Sequence, residues 1–226
     1  MKHDMPIPPA DGFEPYHEKP RLRGVIHQWA AVIALIAGIG LVSIAKERRH
    51  AIAAAVYGFS LVTLYTVSAT YHRVHWEPPA RRLMRRLDHA AIFVLIAGTY
   101  TPVALIAMNP EDGTNLCALS WICAAVGIVK SIFWSGSPKW VTAAIAVAAG
   151  WCVVPYMGAM GRALDGAQFF LYVGGGVVYT LGALTYAAKR PNPVPGVFGY
   201  HEVFHALTVV AAAMQFAAIV MVMRGA

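Results

Sequence analysis

Charged residues are scarce in this chain of 226 residues. Only 13% are Asp, Glu, Lys or Arg, whereas 58% are hydrophobic and the mean hydropathy is +0.55. A soluble domain is about half apolar and about a quarter charged, so the composition excludes an ordinary soluble fold. The apolar residues form long blocks separated by short charged segments, which is typical of a polytopic membrane protein of one domain.

Acidic residues are fewer still, with 11 Asp and Glu against 18 Lys and Arg, which gives a net charge of +7. Such an excess is also typical of nucleic-acid binding. Here, however, the cations flank apolar blocks and do not interleave with exposed aromatic residues. Loop charges that orient a membrane protein explain them better, so we expect no nucleic-acid partner.

The sequence also has no C-x-x-C pair, and its N-terminal segment has no apolar stretch after the first charged residues. Cys117, Cys123 and Cys152 lie inside apolar blocks and are interpreted as small hydrophobic residues. The N-terminal segment does not resemble a secretory signal peptide. Its polar, proline-rich composition predicts a short, mostly disordered cytoplasmic tail over residues 1–22.

Seven apolar blocks have close to the length that a bilayer requires, about 20 residues each. They predict an all-α fold, a seven-transmembrane-helix bundle over residues 23–226. Pro102 and Pro155 lie inside blocks and predict kinked helices. The predicted spans are residues 24–45, 51–73, 87–108, 115–134, 139–158, 167–188 and 201–223.

The distribution of Lys and Arg predicts the orientation. Thirteen fall in the N-terminal tail and the loops on its side of the membrane, and five fall on the opposite side. The excess places the N-terminus in the cytoplasm and the C-terminus outside. The loop "KERRH" is the one exception, because it holds three cations on the opposite side of the membrane.

This topology brings four ionisable residues to one depth, on the cytoplasmic side. His72 ends the second span, Asp88 begins the third, and His201 and His205 begin the seventh. Ionisable groups in membrane helices are costly and usually functional. His201 and His205 are four residues apart and can hold one metal ion, and with Glu202 they also spell the H-E-x-x-H motif of zinc proteases.

Three histidines with one open position are typical of a catalytic zinc site, so zinc is the predicted cofactor. Asp88 beside the metal would act as a general base towards water. Ser68 shares a helix face with His72 and could hydrogen-bond the imidazole or a ligand.

Other interpretations of these positions stay open. His75 and His89 are competing metal ligands, and Asp88 could instead pair with Arg85 or Arg86 at the membrane edge. The remaining histidines lie in the tail or at span edges, where surface placement explains them: His3, His17, His27 and His50.

Four motifs in this order resemble one family. They are "EKPRLRGVIHQWA" at the entry to the first span, "SATYH" closing the second, "LDHAAIFVLIAGTYTP" opening the third and "HEVFH" opening the seventh. The combination resembles the hemolysin III proteins, the bacterial branch of the progestin and adipoQ receptor family. Alkaline ceramidases belong to the same wider superfamily. The resemblance covers the chain from about residue 18 to its end.

The resemblance implies a seven-helix bundle in the bacterial inner membrane, with its N-terminus inside and zinc on the cytoplasmic side. It implies that His72, His201 and His205 bind the metal, that Asp88 holds the metal's water and that Ser68 supports the site. The family pattern needs only H-x-x-x-H, so the protease spelling is interpreted as coincidental. Relatives in the superfamily are lipid amide hydrolases or receptors with ceramidase-like activity.

Three functions follow as hypotheses. The first is a zinc-dependent hydrolase of a lipid amide or ester bond, active in membrane-lipid homeostasis, with a membrane lipid as substrate or ligand. The second is a sensor or regulator in which zinc only braces the helices. The third is a haemolysin-like channel or pore former, which seven long apolar spans disfavour. Asp88 near an open metal position favours the first, and no protein partner is indicated.

Overall fold

A computed structural model describes residues 20–225, so nearly all of the predicted tail over residues 1–22 lies outside the described residues. The helices of the described part make seven apolar segments long enough to cross a membrane, and α5 and α6 together make the fifth. The predicted all-α seven-span architecture is confirmed. The helices are α1 (Val25–Ser43), α2 (Arg48–Arg73), α3 (Pro78–Pro102), α4 (Pro110–Phe133), α5 (Lys139–Gly150), α6 (Met157–Ala163), α7 (Gly166–Ala188) and α8 (Tyr200–Gly225).

The surface of the bundle is apolar, as a lipid-facing surface must be. Large hydrophobic side chains are widely exposed, among them Ile36 at 67%, Phe59 at 69% and Phe133 at 82%. Exposed apolar patches of this extent are not found on ordinary soluble monomers. The core in turn contains many small and polar residues, so the helices are held together by close packing and interhelical contacts.

Two helices begin at least five residues earlier than predicted. Helix α3 starts at Pro78, where we predicted residue 87, and α4 starts at Pro110, where we predicted residue 115. Proline suits the first helical position because its missing N–H would be unpaired there. The Asn109 side chain also caps α4 by accepting a hydrogen bond from the Asp112 N–H at 3.0 Å. Segments predicted as loops from their charges are therefore the polar first turns of helices.

The two internal prolines interrupt their helices, as predicted. Helix α3 ends at Pro102 and continues as a π-helical turn over Val103–Ala107. A 3₁₀ turn over Val154–Tyr156, which contains Pro155, separates α5 from α6. Proline lacks the N–H that an uninterrupted helix needs, so each break falls at its proline.

Glycines set the closest helix–helix approaches. A Cβ added to Gly38 of α1 would lie 3.2 Å from the Gly58 Cα of α2. On α7, a Cβ added to Gly175 would lie 2.7 Å from the Gln215 Cγ and 2.9 Å from the Ala211 carbonyl oxygen of α8. The hydrogen side chain of glycine lets these backbones meet, which is common between membrane helices.

We therefore expect Gly175→Ala to destabilise the bundle by about 1–3 kcal/mol, because the added methyl meets a backbone oxygen that cannot move alone. The neighbouring Gly176→Ala is the matched control, since its Cβ would meet nothing within 4 Å. The thermal denaturation midpoint of each variant in detergent micelles checks this. Equal midpoints for the two variants would contradict the packing argument.

Candidate metal centre

Three buried histidines meet at one end of the bundle, where α2 ends and α3 and α8 begin; we call this the histidine end. His72 comes from the last turn of α2, and His201 and His205 come from successive turns of α8. One ring nitrogen of each lies within 4.8 Å of the others. The helical i, i+4 spacing places His201 and His205 on one face, which is turned towards His72.

The arrangement fits a zinc ion. The Nε2 atoms of His72 and His201 are 3.1 Å apart. Two nitrogens bound to a tetrahedral zinc at 2.0–2.1 Å would stand about 3.3 Å apart, so a small shift would accommodate the ion. A single shared proton could join two of the rings, but a metal ion can satisfy all three nitrogens. Three neutral imidazoles from two helices are also a donor set that zinc prefers.

Asp88 and Ser68 lie beside this group. An oxygen of the Asp88 carboxylate is 4.0 Å from the His72 Nε2, and the Asp88 side chain is 13% exposed. The buried Ser68 hydroxyl, one turn before His72 on α2, neighbours the Asp88 carboxylate. Ser68 is therefore placed beside the carboxylate, and the structure brings together all five residues that the sequence singled out.

Neither of the two alternative ligands belongs to the three-histidine group. His75 follows the end of α2 and is exposed. His89 lines the same cavity as the three histidines but does not belong to the group of nitrogens that they form. Among the described residues, the ligand set that the geometry favours is thus the one with His72, His201 and His205.

The assignment of His27 and His50 to the surface was wrong, because both are buried. His27 lies on the inward face of α1 and stacks on His205, with ring centroids 3.7 Å apart and planes within 4° of parallel. The His27 ring also makes a T-shaped contact with the Tyr65 ring, with centroids 5.0 Å apart. An ionisable residue inside the first apolar block was the available signal for His27, and this stack fixes the orientation of the His205 ring.

Glu202, the acidic residue of the H-E-x-x-H motif, makes structural contacts with Arg23 and Gly199. Its carboxylate pairs with the Arg23 Nε at 2.6 Å and accepts a hydrogen bond from the Gly199 N–H at 2.8 Å. Both charged side chains are buried, at 9% and 0% exposure. The pair joins the segment before α1 to the start of α8. The next residue after Arg23 is Gly24 (φ +80°), and a Cβ added to it would lie 2.8 Å from the His72 Cβ.

We expect Arg23→Ala to lower stability by about 3–5 kcal/mol, because it leaves the buried Glu202 carboxylate without its cation. Arg21→Ala is the control, since it removes an exposed arginine from the same segment. Thermal denaturation in detergent compares the two variants. Glu202→Gln should retain zinc. Loss of zinc in that variant would indicate that Glu202 is a metal ligand.

The three histidines open onto a cavity of about 250 Å³ inside the bundle. Asp88 is the one carboxylate among the described residues that line it. Towards the histidine end the wall is cationic, and towards the middle of the bundle it is mostly apolar, with side chains such as Leu95, Ile96, Val153 and Met160. The site therefore lies at the boundary between a charged and an apolar compartment.

Comparisons with known proteins agree with these features. The family model described as "Haemolysin-III related" matches residues 16–216, which include all five site positions. The chain is 31% identical over 195 residues to "Hemolysin-3" of Bacillus cereus, covering 85% of this chain and 86% of that protein. It is 24% identical over 197 residues to the human "Monocyte to macrophage differentiation factor", covering 85% and 79%. It is 28% identical over 180 residues to the "Heptahelical transmembrane protein ADIPOR2" of Oryza sativa subsp. japonica, covering 73% and 79%. With seven apolar spans, a buried histidine group and a match over most of its length, the chain belongs to the haemolysin-III-related family of integral membrane proteins.

Proposed function

We propose that this protein is a zinc-dependent hydrolase that cleaves an amide or ester bond of a membrane lipid. The observation that carries the proposal is the position of the Asp88 carboxylate, 4.0 Å from His72 and beside three converging histidines. A site that served only to join helices would need the ligands but would have no use for a carboxylate beside them.

His72, His201 and His205 would hold the zinc. Zinc bound by three neutral histidines supplies a Lewis acid that polarises a carbonyl and makes hydroxide available near pH 7. The parallel ring of His27 keeps the His205 imidazole in place for this task. The Arg23–Glu202 pair does the same for the first turn of α8, which carries His201.

Asp88 would act as the general base. Its carboxylate lies where it can accept a proton from a water molecule at the histidine group and later return that proton to the leaving group. The neighbouring Ser68 hydroxyl would donate a hydrogen bond to the carboxylate and orient it. Both residues lie on helices and not on loops, so the geometry is held by packed backbone.

The cavity suits a lipid. Its polar groups away from the histidines are mostly engaged within the protein. The Tyr172 hydroxyl donates to the Thr99 carbonyl at 3.0 Å, and the Trp151 Nε1 donates to the Thr180 hydroxyl at 3.0 Å. The Tyr179 hydroxyl also lines the cavity and has no hydrogen-bond partner among the described residues. The rest of that wall presents little unpaired polarity and favours an apolar chain, which would bring a carbonyl near the headgroup to the histidines.

The test is a panel of fluorescent ceramides, other N-acyl lipids and phospholipids, incubated with wild-type protein and with His72→Ala. We expect release of a fatty acid from at least one lipid class by the wild type and none by the variant. Equal release by both would refute a metal-dependent hydrolase.

A sensor with a structural zinc is the second candidate. The observation in its favour is that the ligands come from α2 and α8, which are far apart in the sequence. A metal ion there would join the two helices, and a change in the membrane that moved one helix would reach the other. This candidate requires wild-type protein that binds zinc and hydrolyses no lipid of the panel.

We further propose that the histidine end faces the cytoplasm, because the loops and the tail on that side hold thirteen of the 18 Lys and Arg. An alkaline phosphatase fused to the C-terminus should be active, and green fluorescent protein at the same place should be dark. A phosphatase fused after Glu77, in the connection before α3, is the control and should be inactive. The reverse pattern would place the histidine end outside.

A further inference from the structure

We infer that Tyr179 is a specificity-determining residue of the cavity, and that its hydroxyl forms a hydrogen bond with a hydroxyl group carried part-way along the acyl chain of the ligand. The inference rests on the proposed function, because it takes a lipid chain to lie in the cavity with its carbonyl at the histidines. It adds the kind of chain that the cavity selects.

The Tyr179 hydroxyl differs from the other polar groups in the deep part of the cavity. Tyr179 lies on α7 and lines the cavity. Its hydroxyl oxygen is buried and has no hydrogen-bond partner among the described residues. The Tyr172 hydroxyl, two turns earlier on the same helix, donates instead to the Thr99 carbonyl. Buried polar groups nearly always have a partner in folded proteins, so a hydroxyl without one points to a ligand that supplies it.

The register of α7 places Tyr179 beyond the histidines, towards the middle of the bundle. One face of α7 lines the cavity, at spacings of four, three, four and three residues: Tyr172, Gly176, Tyr179, Ala183 and Tyr186. The Tyr186 ring lies beside the His201 ring, with centroids 5.7 Å apart. Tyr179 comes seven residues before Tyr186, so it lies about 10 Å deeper along the helix. A chain whose carbonyl is at the histidines would therefore reach Tyr179 part-way along its length.

The surroundings of Tyr179 favour an uncharged partner. The charged residues that line the cavity, among those described, all come from the histidine end: Arg23, Arg81, Arg85, Asp88 and Lys139. A charged group at the depth of Tyr179 would lose its hydration without gaining a counter-ion, which is costly. A phenol hydroxyl can both donate and accept a hydrogen bond. A hydroxyl on the chain is a neutral group with the same two capacities.

Tyr65 provides a matched comparison. Its hydroxyl is also buried and also has no hydrogen-bond partner among the described residues, so the two hydroxyls do not bond each other. Tyr65 does not belong to the described residues that line the cavity. Tyr179→Phe and Tyr65→Phe therefore each remove one unpartnered hydroxyl and keep the ring, but only the first removes a group that a ligand in the cavity can contact.

A purely structural role for the Tyr179 hydroxyl predicts a different result for the protein without added lipid. Removing a hydroxyl that makes a hydrogen bond within the protein lowers stability, whereas removing one without a partner does not. The thermal denaturation midpoint of Tyr179→Phe in detergent should therefore equal or exceed that of the wild type. A lower midpoint, or a variant that fails to fold, would assign the hydroxyl to the fold and overturn the inference.

The experiment is isothermal titration calorimetry of the purified protein in an uncharged maltoside detergent, with 10-hydroxyoctadecanoic acid and octadecanoic acid as probes. Relative to the plain acid, the wild type should bind the hydroxy acid about three- to tenfold more tightly than Tyr179→Phe does, since the variant lacks one neutral hydrogen bond. Tyr65→Phe should keep the wild-type ratio. Because ratios of affinities are compared between variants, unequal partition of the two acids into micelles cancels.

The position of the contact is tested with 2-hydroxyoctadecanoic acid. Its hydroxyl adjoins the carboxylate and would stay near the histidines, so Tyr179→Phe should not change its affinity relative to the plain acid. Equal sensitivity of both hydroxy acids to Tyr179→Phe would overturn the placement. An unchanged 10-hydroxy ratio in Tyr179→Phe would overturn the contact itself, and loss of that ratio in Tyr65→Phe would overturn the argument from the cavity.

Failure of this inference can be told from failure of the proposed function, because the three acids contain no bond for the enzyme to hydrolyse. A protein that discriminates the acids through Tyr179 and cleaves no lipid would retain the contact and lose the hydrolase. A protein that cleaves lipids without this discrimination would do the opposite. Binding of none of the acids by the wild type would remove the acyl chain from the cavity and overturn the inference.

Discussion

Zinc should be lost from the purified protein when His72, His201 or His205 is replaced with alanine. Each residue contributes one of three buried ring nitrogens within 4.8 Å of one another, and no other side chain of that group can take its place. Changes to residues that merely support a metal ligand already cost about 10–100-fold in metal affinity. Removal of a ligand itself should therefore exceed about 100-fold. Elemental analysis of detergent-purified protein should give one equivalent in the wild type and almost none in the variants.

Two other histidines provide the controls for this result. His75→Ala removes an exposed imidazole just beyond α2, and His89→Ala removes one that lines the same cavity outside the three-nitrogen group. Both should keep a full equivalent of zinc. A full equivalent in one of the triad variants would remove that residue from the ligand set, and a loss in His89→Ala would add a residue to it.

The seven spans could be predicted because a bilayer imposes a minimum length on each apolar block. The helix ends could not be predicted as well, because helices continue past the apolar layer. The sequence predicts a loop at Arg81, Arg82, Arg85 and Arg86, yet these residues occupy the early turns of α3. Hydropathy reports the depth of a residue in the membrane, and hydrogen bonding of the backbone decides whether the residue is helical.

The histidine group could be predicted for a different reason. His201 and His205 have the spacing of one helix face, and the alternation of spans brings His72 and Asp88 to the same end. Arg23 and Glu202 could not be paired in this way, because they are 179 residues apart and no periodicity connects them. The stack of His27 on His205 depends similarly on how α1 packs against α8.

Helix packing also places Arg81 and Arg85 at the cavity, which their charge alone does not predict. In the sequence, Arg81 and Arg85 count only towards the orientation of the chain in the membrane. In the bundle they share a helix face with Asp88 and line its cavity, whereas Arg82 does not. The charge count is the same for all three residues, so only the structure separates a residue that can contact a ligand from one that can contact water.

Asp88→Asn should abolish most hydrolysis while the protein keeps its zinc. Asparagine has nearly the same shape and can still accept the Ser68 hydrogen bond, but it cannot take a proton from water. Loss of a general base typically lowers the rate about 10²–10⁴-fold. Asp88 does not belong to the three-nitrogen group, so its replacement should leave the ligand set intact. The rate is measured on the lipid that the wild type cleaves, with zinc content assayed on the same samples.

Ser68→Ala is the graded companion of this variant. It keeps the base but removes the hydroxyl that would orient it, so its rate should fall between those of the wild type and Asp88→Asn. If zinc only braced α2 and α8, neither variant would change an activity. Asp88→Asn would then lower the free energy of unfolding by no more than the roughly 1 kcal/mol expected for an ion pair at the membrane edge. An unchanged rate in a zinc-replete Asp88→Asn protein would remove Asp88 as the base, because the carboxylate near His72 would then have no part in the reaction.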